Sequence, residues 1–324
     1  MCTATTLRKK DFYFGRNLDL GGSHGEEVLV VPRSFTLPFR HFPTMERHEA
    51  LIGMGVVMNG YPLFYDGANE SGLAVAGLNF PGNAVYGSYT EGKNNVAVFE
   101  FIPWLLTNAE SVEDAKILLK NTVLTNEEFA KGVPVATLHW MISDKHSSIV
   151  VESTAKGLQV YNNPAEVMTN NPEFPIHLFM LNNYSHLSPK DKEPTFGVDM
   201  DWNVYCKGLG GLGLPGDLSS ISRFVKASFT RANSVCKDDE KSCVSQFFHI
   251  LGSVDQQRGA VIYGKGEYEI TVYASCINAS RGIYYYHTYD NRRVTKVDMY
   301  REDLEGDEIS RFPLITEEDI LEAN

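Results

Sequence analysis

Apolar and polar positions change rhythm several times along the chain. Near its start, TATTL and FYFGRN are strand-like runs on either side of the polar stretch 8–11, which predicts a β-hairpin. LHWMISD, SSIVVEST and GLQVYN predict a meander turning at Lys145-His146 and again at 155–157. Towards the end, YEITVYASC and GIYYYHTYD predict a further hairpin, with 294–299 as an added strand. Helical spacing occupies two places. Residues 98–106 and 111–121 form one predicted pair, the second opening on Ser111-x-x-Asp114 in the manner of a capping box. Residues 219–232 and 242–254 form the other, where Val244, Phe247, Phe248 and Leu251 fall at i, i+3, i+4, i+7.

Strands that come in meanders and helices that come in pairs, with no repeating βαβ unit, point to an α+β chain of antiparallel sheet with helices layered on it. No Pro/Ser-rich linker or internal repeat divides the sequence, so one domain is expected over 1–324. The least regular segment is 187–215, which ends in KGLGGLGLPGD. Its glycines match no nucleotide fingerprint in a strand–turn–helix context. An excursion that serves oligomer assembly fits it equally well.

Composition narrows the function classes. Hydrophobic residues make up 43% and charged residues 22%, the profile of a chain that buries a large core. The stretch 51–63 is apolar but broken by glycines and Asn59, so no membrane span is expected. Arg8, Lys9, Lys10 and Asp11 interrupt the N-terminus before any signal-type leader could form, and a cytoplasmic protein is expected. A net charge of −12 argues against nucleic acid as a partner, because phosphate contacts need clustered Lys and Arg. An anionic ligand would have to be held by apolar contact or by a local basic group.

The cysteines are Cys2, Cys206, Cys236, Cys243 and Cys276. Their odd number and their spacings fit neither a disulfide framework nor a zinc site, so no metal and no cofactor is expected. Four of them read as packed free thiols. Cys2 differs by its place. Methionine is generally removed ahead of a small residue, and its removal would leave Cys2 with a thiol and a free α-amine. One residue would then hold both nucleophile and base. The strand that begins at once would pin it, and the hairpin return brings Arg16, Asn17 and Asp19 back beside it. An arginine near a thiol favours the thiolate form, and a carboxylate can hold an amine. No histidine stands in an obvious catalytic motif; His139, in the strand LHWMIS, reads as a core residue.

Met1-Cys2-Thr3, Phe14-Gly15-Arg16-Asn17-Leu18-Asp19, YPLFYDGANESGLAVAGLNFPG, EFIPWLL, MTNNPEF, GLGLPGDLSSISRFVKA and YYYHTYDN together resemble the choloylglycine hydrolases, which are N-terminal nucleophile hydrolases. The resemblance runs in order over essentially the whole chain. It implies an αββα sandwich of two antiparallel sheets between helical layers, assembled as a homotetramer. It implies Cys2 as nucleophile, Arg16 as thiol-activating arginine, Asp19 as holder of the amine, Asn79 and Asn170 as oxyanion contributors and Arg223 as a supporting arginine. Within the family the pattern is nearest the bile salt hydrolases, whose substrates are glycine- or taurine-conjugated bile salts. Positions matching their pocket are Leu18, His24, Met58, Tyr65, Phe129, Val133 and Leu138. His24, in the glycine-rich loop LGGSHGEE, departs from the apolar or aromatic side chain expected there, and Asn59-Gly60, ahead of Tyr61-Pro62, stands where many members of the family carry acidic residues. A penicillin V acylase is the nearest rival, but that branch commonly carries tyrosine at the position of Asn79. A broader N-acyl amide hydrolase or a non-catalytic binding protein on the same scaffold are the other readings.

Overall fold

The computed structural model describes residues 1–324. Its first two strands set the frame for everything else. β1 (Cys2–Arg8) and β2 (Phe12–Leu20) form the expected hairpin, with Cys2 opposite Leu18 and Ala4 opposite Arg16. They lie inside a six-stranded antiparallel sheet, with Val167–Met168 outside β1, and Ile270–Asn278, Ile283–Thr288 and Thr295–Asp298 following β2. Strand alternation sends Cys2, Ala4, Phe14, Arg16 and Leu18 to one face, and Thr3, Leu7, Tyr13 and Asp19 to the other. Gly15 lets β2 approach its neighbour, since a Cβ there would lie 2.0 Å from the Ser275 carbonyl oxygen.

The second sheet has eight antiparallel strands. In order these are Gly157–Asn162, Ser148–Thr154, Leu138–Ser143, β6 (Ala74–Asn79), β5 (Tyr61–Asn69), β4 (Leu51–Met58), β3 (Glu27–Val31) and Ser310–Pro313. The predicted meander occupies one side of it. β3 and the β4–β5–β6 meander were not read from the sequence. β5 and β6 pair only at Asp66–Ala76, Gly67–Val75 and Ala68–Ala74, then part. That gap matters for the site.

Helices complete four layers. Between the sheets lies a core that includes Phe14, Leu18, Met54, Leu78 and Met141. A second core joins the outer face of the eight-stranded sheet to α1 (Phe101–Asn108) and α2 (Val112–Leu119), through Phe101, Leu105, Val112 and Trp140. A third joins the outer face of the six-stranded sheet to α5 (Glu240–Gly252), through Leu7, Tyr13, Phe247 and Leu251. The order helix–sheet–sheet–helix is the expected αββα arrangement. α4 (Ser220–Ala232) packs on β1, and the short α3 (Phe174–Met180) packs on α4. Ser111 caps α2, its hydroxyl accepting from the Asp114 N–H at 3.2 Å. No helix is long and apolar enough to cross a membrane. The segment 187–215 is irregular apart from one turn at Leu209–Gly211, and it exposes Phe196, Met200, Trp202 and Tyr205.

Candidate active site

The sequence-predicted site residues meet where β1 and β2 face the gap between β5 and β6. Cys2 is almost fully buried, at 2% exposure, and Arg16 is buried beside it. Because Arg16 sits opposite Ala4, it is the diagonal neighbour of Cys2 on the same sheet face, within reach of a long side chain. Its Nη2 donates to Cys2 Sγ at 2.6 Å and its Nη1 to the Gly77 carbonyl at 2.6 Å. A weaker bond reaches the Tyr65 carbonyl at 3.4 Å. Burial alone would push the guanidinium down. The adjoining Cys2 sulfur, with Tyr273 and Asp66, outweighs that and holds it above its ordinary value. The sulfur thus faces a permanent cation.

Asn170 and Arg223 approach from the opposite side of β1. The Cys2 N–H donates to Asn170 Oδ1 at 2.8 Å, and Arg223 Nη2 donates to the same oxygen at 2.8 Å. A guanidinium can only donate, which fixes that atom as the amide oxygen. Asn170 Nδ2 then donates to the Asn79 carbonyl at 2.7 Å. Arg223 also donates to the Thr3 hydroxyl at 2.7 Å and the Leu218 carbonyl at 2.9 Å. Burial lowers its guanidinium, while Asp19 and Cys2 counter this.

At Asn79, register turns backbone groups towards the gap. The bond from Phe80 N to Thr137 O makes 80–137 a hydrogen-bonded pair, so its neighbour Asn79–Leu138 is a non-hydrogen-bonded pair. The Asn79 N–H and C=O therefore point away from that partner strand, towards the gap that β5 has left. The Gly77 carbonyl points the same way and meets Arg16. The Asn79 carbonyl takes Asn170 Nδ2, and its N–H faces the same side. Its side chain is exposed, with Oδ1 accepting from Thr137 Oγ1 at 3.1 Å.

Asp19 lies nearby without bonding the Cys2 nitrogen. Its carboxylate accepts from Thr271 Oγ1 at 2.7 Å and Gln256 Nε2 at 3.3 Å, and stands 4.0 Å from Arg223 Nη1. Burial pushes it up, against the pull of Arg223. Met1 is in place, its amine donating to the Asp19 carbonyl at 2.7 Å and pairing with Glu269. Here the Cys2 nitrogen is a peptide amide, and the acceptor it has found is Asn170.

On the cavity side, Tyr65 and Gly77 also belong to the wall of a pocket of about 410 Å³. His24, Met58, Phe129, Val133 and Leu138 line it too, as the sequence suggested. Leu18 does not. It lies directly across from Cys2 and is packed in the core between the sheets. Phe129 is set edge-on to Phe99, with ring centroids 5.1 Å apart, and this gives the wall a fixed shape. Most of the lining is apolar, with His24 and Glu127 as its polar members. A wider groove of about 900 Å³ lies between α5 and the strand Ile283–Thr288, and none of the side chains around Cys2 enters it. No group of His, Cys, Asp or Glu converges so as to hold a metal ion.

Sequence reasoning missed the residues that hold Asn170. His177 Nε2 donates to the Asn170 carbonyl at 2.8 Å and Ser220 Oγ accepts from its N–H at 2.9 Å. Burial pushes the His177 imidazole down to about 4. A histidine that follows an Asn-Pro turn on a helix too short to show periodicity leaves little trace in one sequence.

Comparisons with known proteins point one way. The sequence model of the linear amide C-N hydrolases, choloylglycine hydrolase family, matches residues 2–312. The bile salt hydrolase/transferase of Lactiplantibacillus plantarum is 46% identical over 324 residues, covering 100% of both chains. That of Clostridium perfringens is 39% identical over 321 residues, covering 96% of both. A solved mutant of conjugated bile acid hydrolase from Clostridium perfringens superimposes with a TM-score of 0.92 at 37% identity over 100% of both chains. Penicillin V acylase from Agrobacterium tumefaciens shares the fold, with a TM-score of 0.75 at 21% identity over 96% of this chain and 90% of that one.

Proposed function

From the premise that the chain belongs to the choloylglycine hydrolase family and is an amide C–N hydrolase, we propose that it cleaves glycine- and taurine-conjugated bile salts through Cys2. The observation that carries this is the 2.6 Å contact between Cys2 Sγ and Arg16 Nη2, made by an arginine that also touches the wall of an apolar cavity of about 410 Å³. A steroid body suits that cavity. Burial is worth about 25 cal/mol per Å² of apolar surface, so partial enclosure yields several kcal/mol without help from net charge.

The chemistry follows from the atoms at hand. Removal of Met1 turns the Cys2 nitrogen into an amine beside Asn170 Oδ1. The amine takes the thiol proton, and Arg16 balances the sulfur's negative charge. The sulfur attacks the amide carbon, and the carbonyl oxygen becomes an oxyanion. The Asn79 N–H and the second hydrogen of Asn170 Nδ2 are the donors that face it; such donors typically contribute about 3 kcal/mol each. The amine returns its proton to the leaving nitrogen, the C–N bond breaks, and glycine or taurine departs. Water then attacks the thioester with the same amine as base, releasing the bile acid. Asp19 and Arg223 set the field around this nitrogen rather than touch the substrate.

We further read the protein as cytoplasmic and as a homotetramer, with the exposed apolar side chains of 187–215 as its assembly surface; a monomeric mass in solution would overturn the latter. The test of function is amino-acid release from glycocholate and taurocholate, measured beside penicillin V and paired with the N-terminal mass. Release from the conjugates by chains that begin at Cys2, and none from Cys2→Ala, supports the proposal. Faster turnover of penicillin V than of both conjugates overturns the substrate assignment.

A further inference from the structure

Resting on the reading of this site as an amide hydrolase, we propose that His139 and Glu152 act as a positioning pair that holds both oxyanion asparagines in register. Both side chains are buried, at 1% and 0% exposure, and neither touches Cys2. His139 Nε2 lies 2.8 Å from the Thr169 carbonyl. A carbonyl only accepts, so Nε2 carries the hydrogen. His139 Nδ1 lies 3.1 Å from Glu152 Oε1, which fixes the ring's other edge. The same carboxylate accepts the Phe174 N–H, at 3.0 and 3.2 Å from its two oxygens.

These contacts bracket the site. Thr169 immediately precedes Asn170. Phe174 opens α3, which carries His177 to the Asn170 carbonyl. On its open face the His139 ring is stacked on Phe80, with centroids 4.2 Å apart and planes 5° from parallel. Phe80 immediately follows Asn79. One imidazole therefore touches the chain next to each asparagine, and one carboxylate ties that imidazole to α3. Core packing alone does not explain the arrangement. Replacing such a buried polar pair by apolar side chains of similar volume is often neutral or stabilising. What an apolar pair cannot supply is the direction of two hydrogen bonds.

The experiment compares His139→Phe with His139→Gln in the trimmed enzyme. Phenylalanine keeps the stack on Phe80 and loses the donor to Thr169. Glutamine loses the ring but can offer an amide N–H near the position of Nε2. A displacement of about 1 Å in a catalytic donor can cost about a hundredfold. The expected result is a kcat about ten- to a hundredfold lower in His139→Phe, with KM within about threefold of the parent. His139→Gln should recover most of that loss, and the peptide 167–174 should exchange backbone hydrogen faster in the phenylalanine variant than in the glutamine one. Unchanged kcat in His139→Phe, or equal losses in both variants, overturns the proposal in favour of plain packing. If His139→Phe does not fold, Glu152→Met replaces it, since methionine has a similar volume and offers neither His139 nor Phe174 a carboxylate: a lower kcat at unchanged KM supports the pair, and an unchanged kcat overturns it. Should the parent hydrolyse no amide offered, the hydrolase reading fails on its own. The exchange comparison then judges the pair, equal exchange in the two His139 variants overturning it.

Discussion

Arg16 shows what a single side chain does here. Its fork reaches sulfur, the Gly77 carbonyl and the Tyr65 carbonyl from one buried position. A lysine has one point charge and cannot span them. We expect Arg16→Lys to lower kcat/KM about a hundredfold, close to 2.7 kcal/mol of lost transition-state stabilisation, in a steady-state assay on a conjugate. His177 gives a residue-scale prediction of another kind. Its folded value is about 4 against an ordinary 6.5, so between those pH values the unfolded chain binds the extra proton. Stability from this group is full above pH ~6.5 and falls as pH drops towards ~4, by about 3 kcal/mol at most. Thermal melts over that range should show a shallower acid loss in His177→Gln than in the parent. At this scale Cys2, Arg16 and Asp19 could be singled out from the sequence, because the cysteine follows Met1 and the hairpin return brings the other two beside it, whereas Asn79, Asn170 and Arg223 came only with the family resemblance. Glu152 could not be singled out, because a carboxylate inside SSIVVEST gives no hint that its partners come from another strand and a helix.

Elements place these residues. The β1–β2 hairpin was readable because two β-favouring runs flank a charged turn. The β4–β5–β6 meander was not, since it is buried on both sides and interrupted by Gly53, Gly55 and Gly67, which blur a period of two. Helix α3 has seven residues and a proline in its first turn, too short for a 3.6-residue rhythm to show. The parting of β5 from β6 is a property of pairing between strands and has no signature within either. Gly15 tests this scale. A methyl group there meets the Ser275 carbonyl oxygen at 2.0 Å, so β2 must move off its neighbour and carry Arg16 with it. Overpacking of this type typically costs about 1–3 kcal/mol. Gly15→Ala should therefore melt several degrees lower than the parent by calorimetry and lose hydrolysis even at temperatures where it is folded.

For the whole molecule, the two sheets divide the work. The six-stranded sheet carries the sulfur and its arginine, while the eight-stranded sheet with its helices supplies the cavity. Truncating Phe129 in that wall should act on binding, with KM for a bile salt conjugate rising about tenfold and kcat nearly unchanged. The net charge of −12 acts at the same scale. It repels an anionic substrate on approach, and salt screens that repulsion over a Debye length of about 10 Å at 0.1 M. KM should fall as ionic strength rises from low values, whereas steering by a basic funnel would give the opposite slope. The layer order was within reach of sequence patterning only as sheets with helices on them. Its four-layer form depends on which faces meet, and that is decided by contacts far apart along the chain.

The nitrogen of Cys2 already rests 2.8 Å from Asn170 while Met1 is still attached. On the proposed mechanism, a chain that keeps Met1 is a latent enzyme, with its side chains assembled and its base held as an amide by one peptide link. Excision would then be a trigger that builds nothing. On that reading activity begins as soon as the terminal methionine is cut away, and these side chains need not rearrange first.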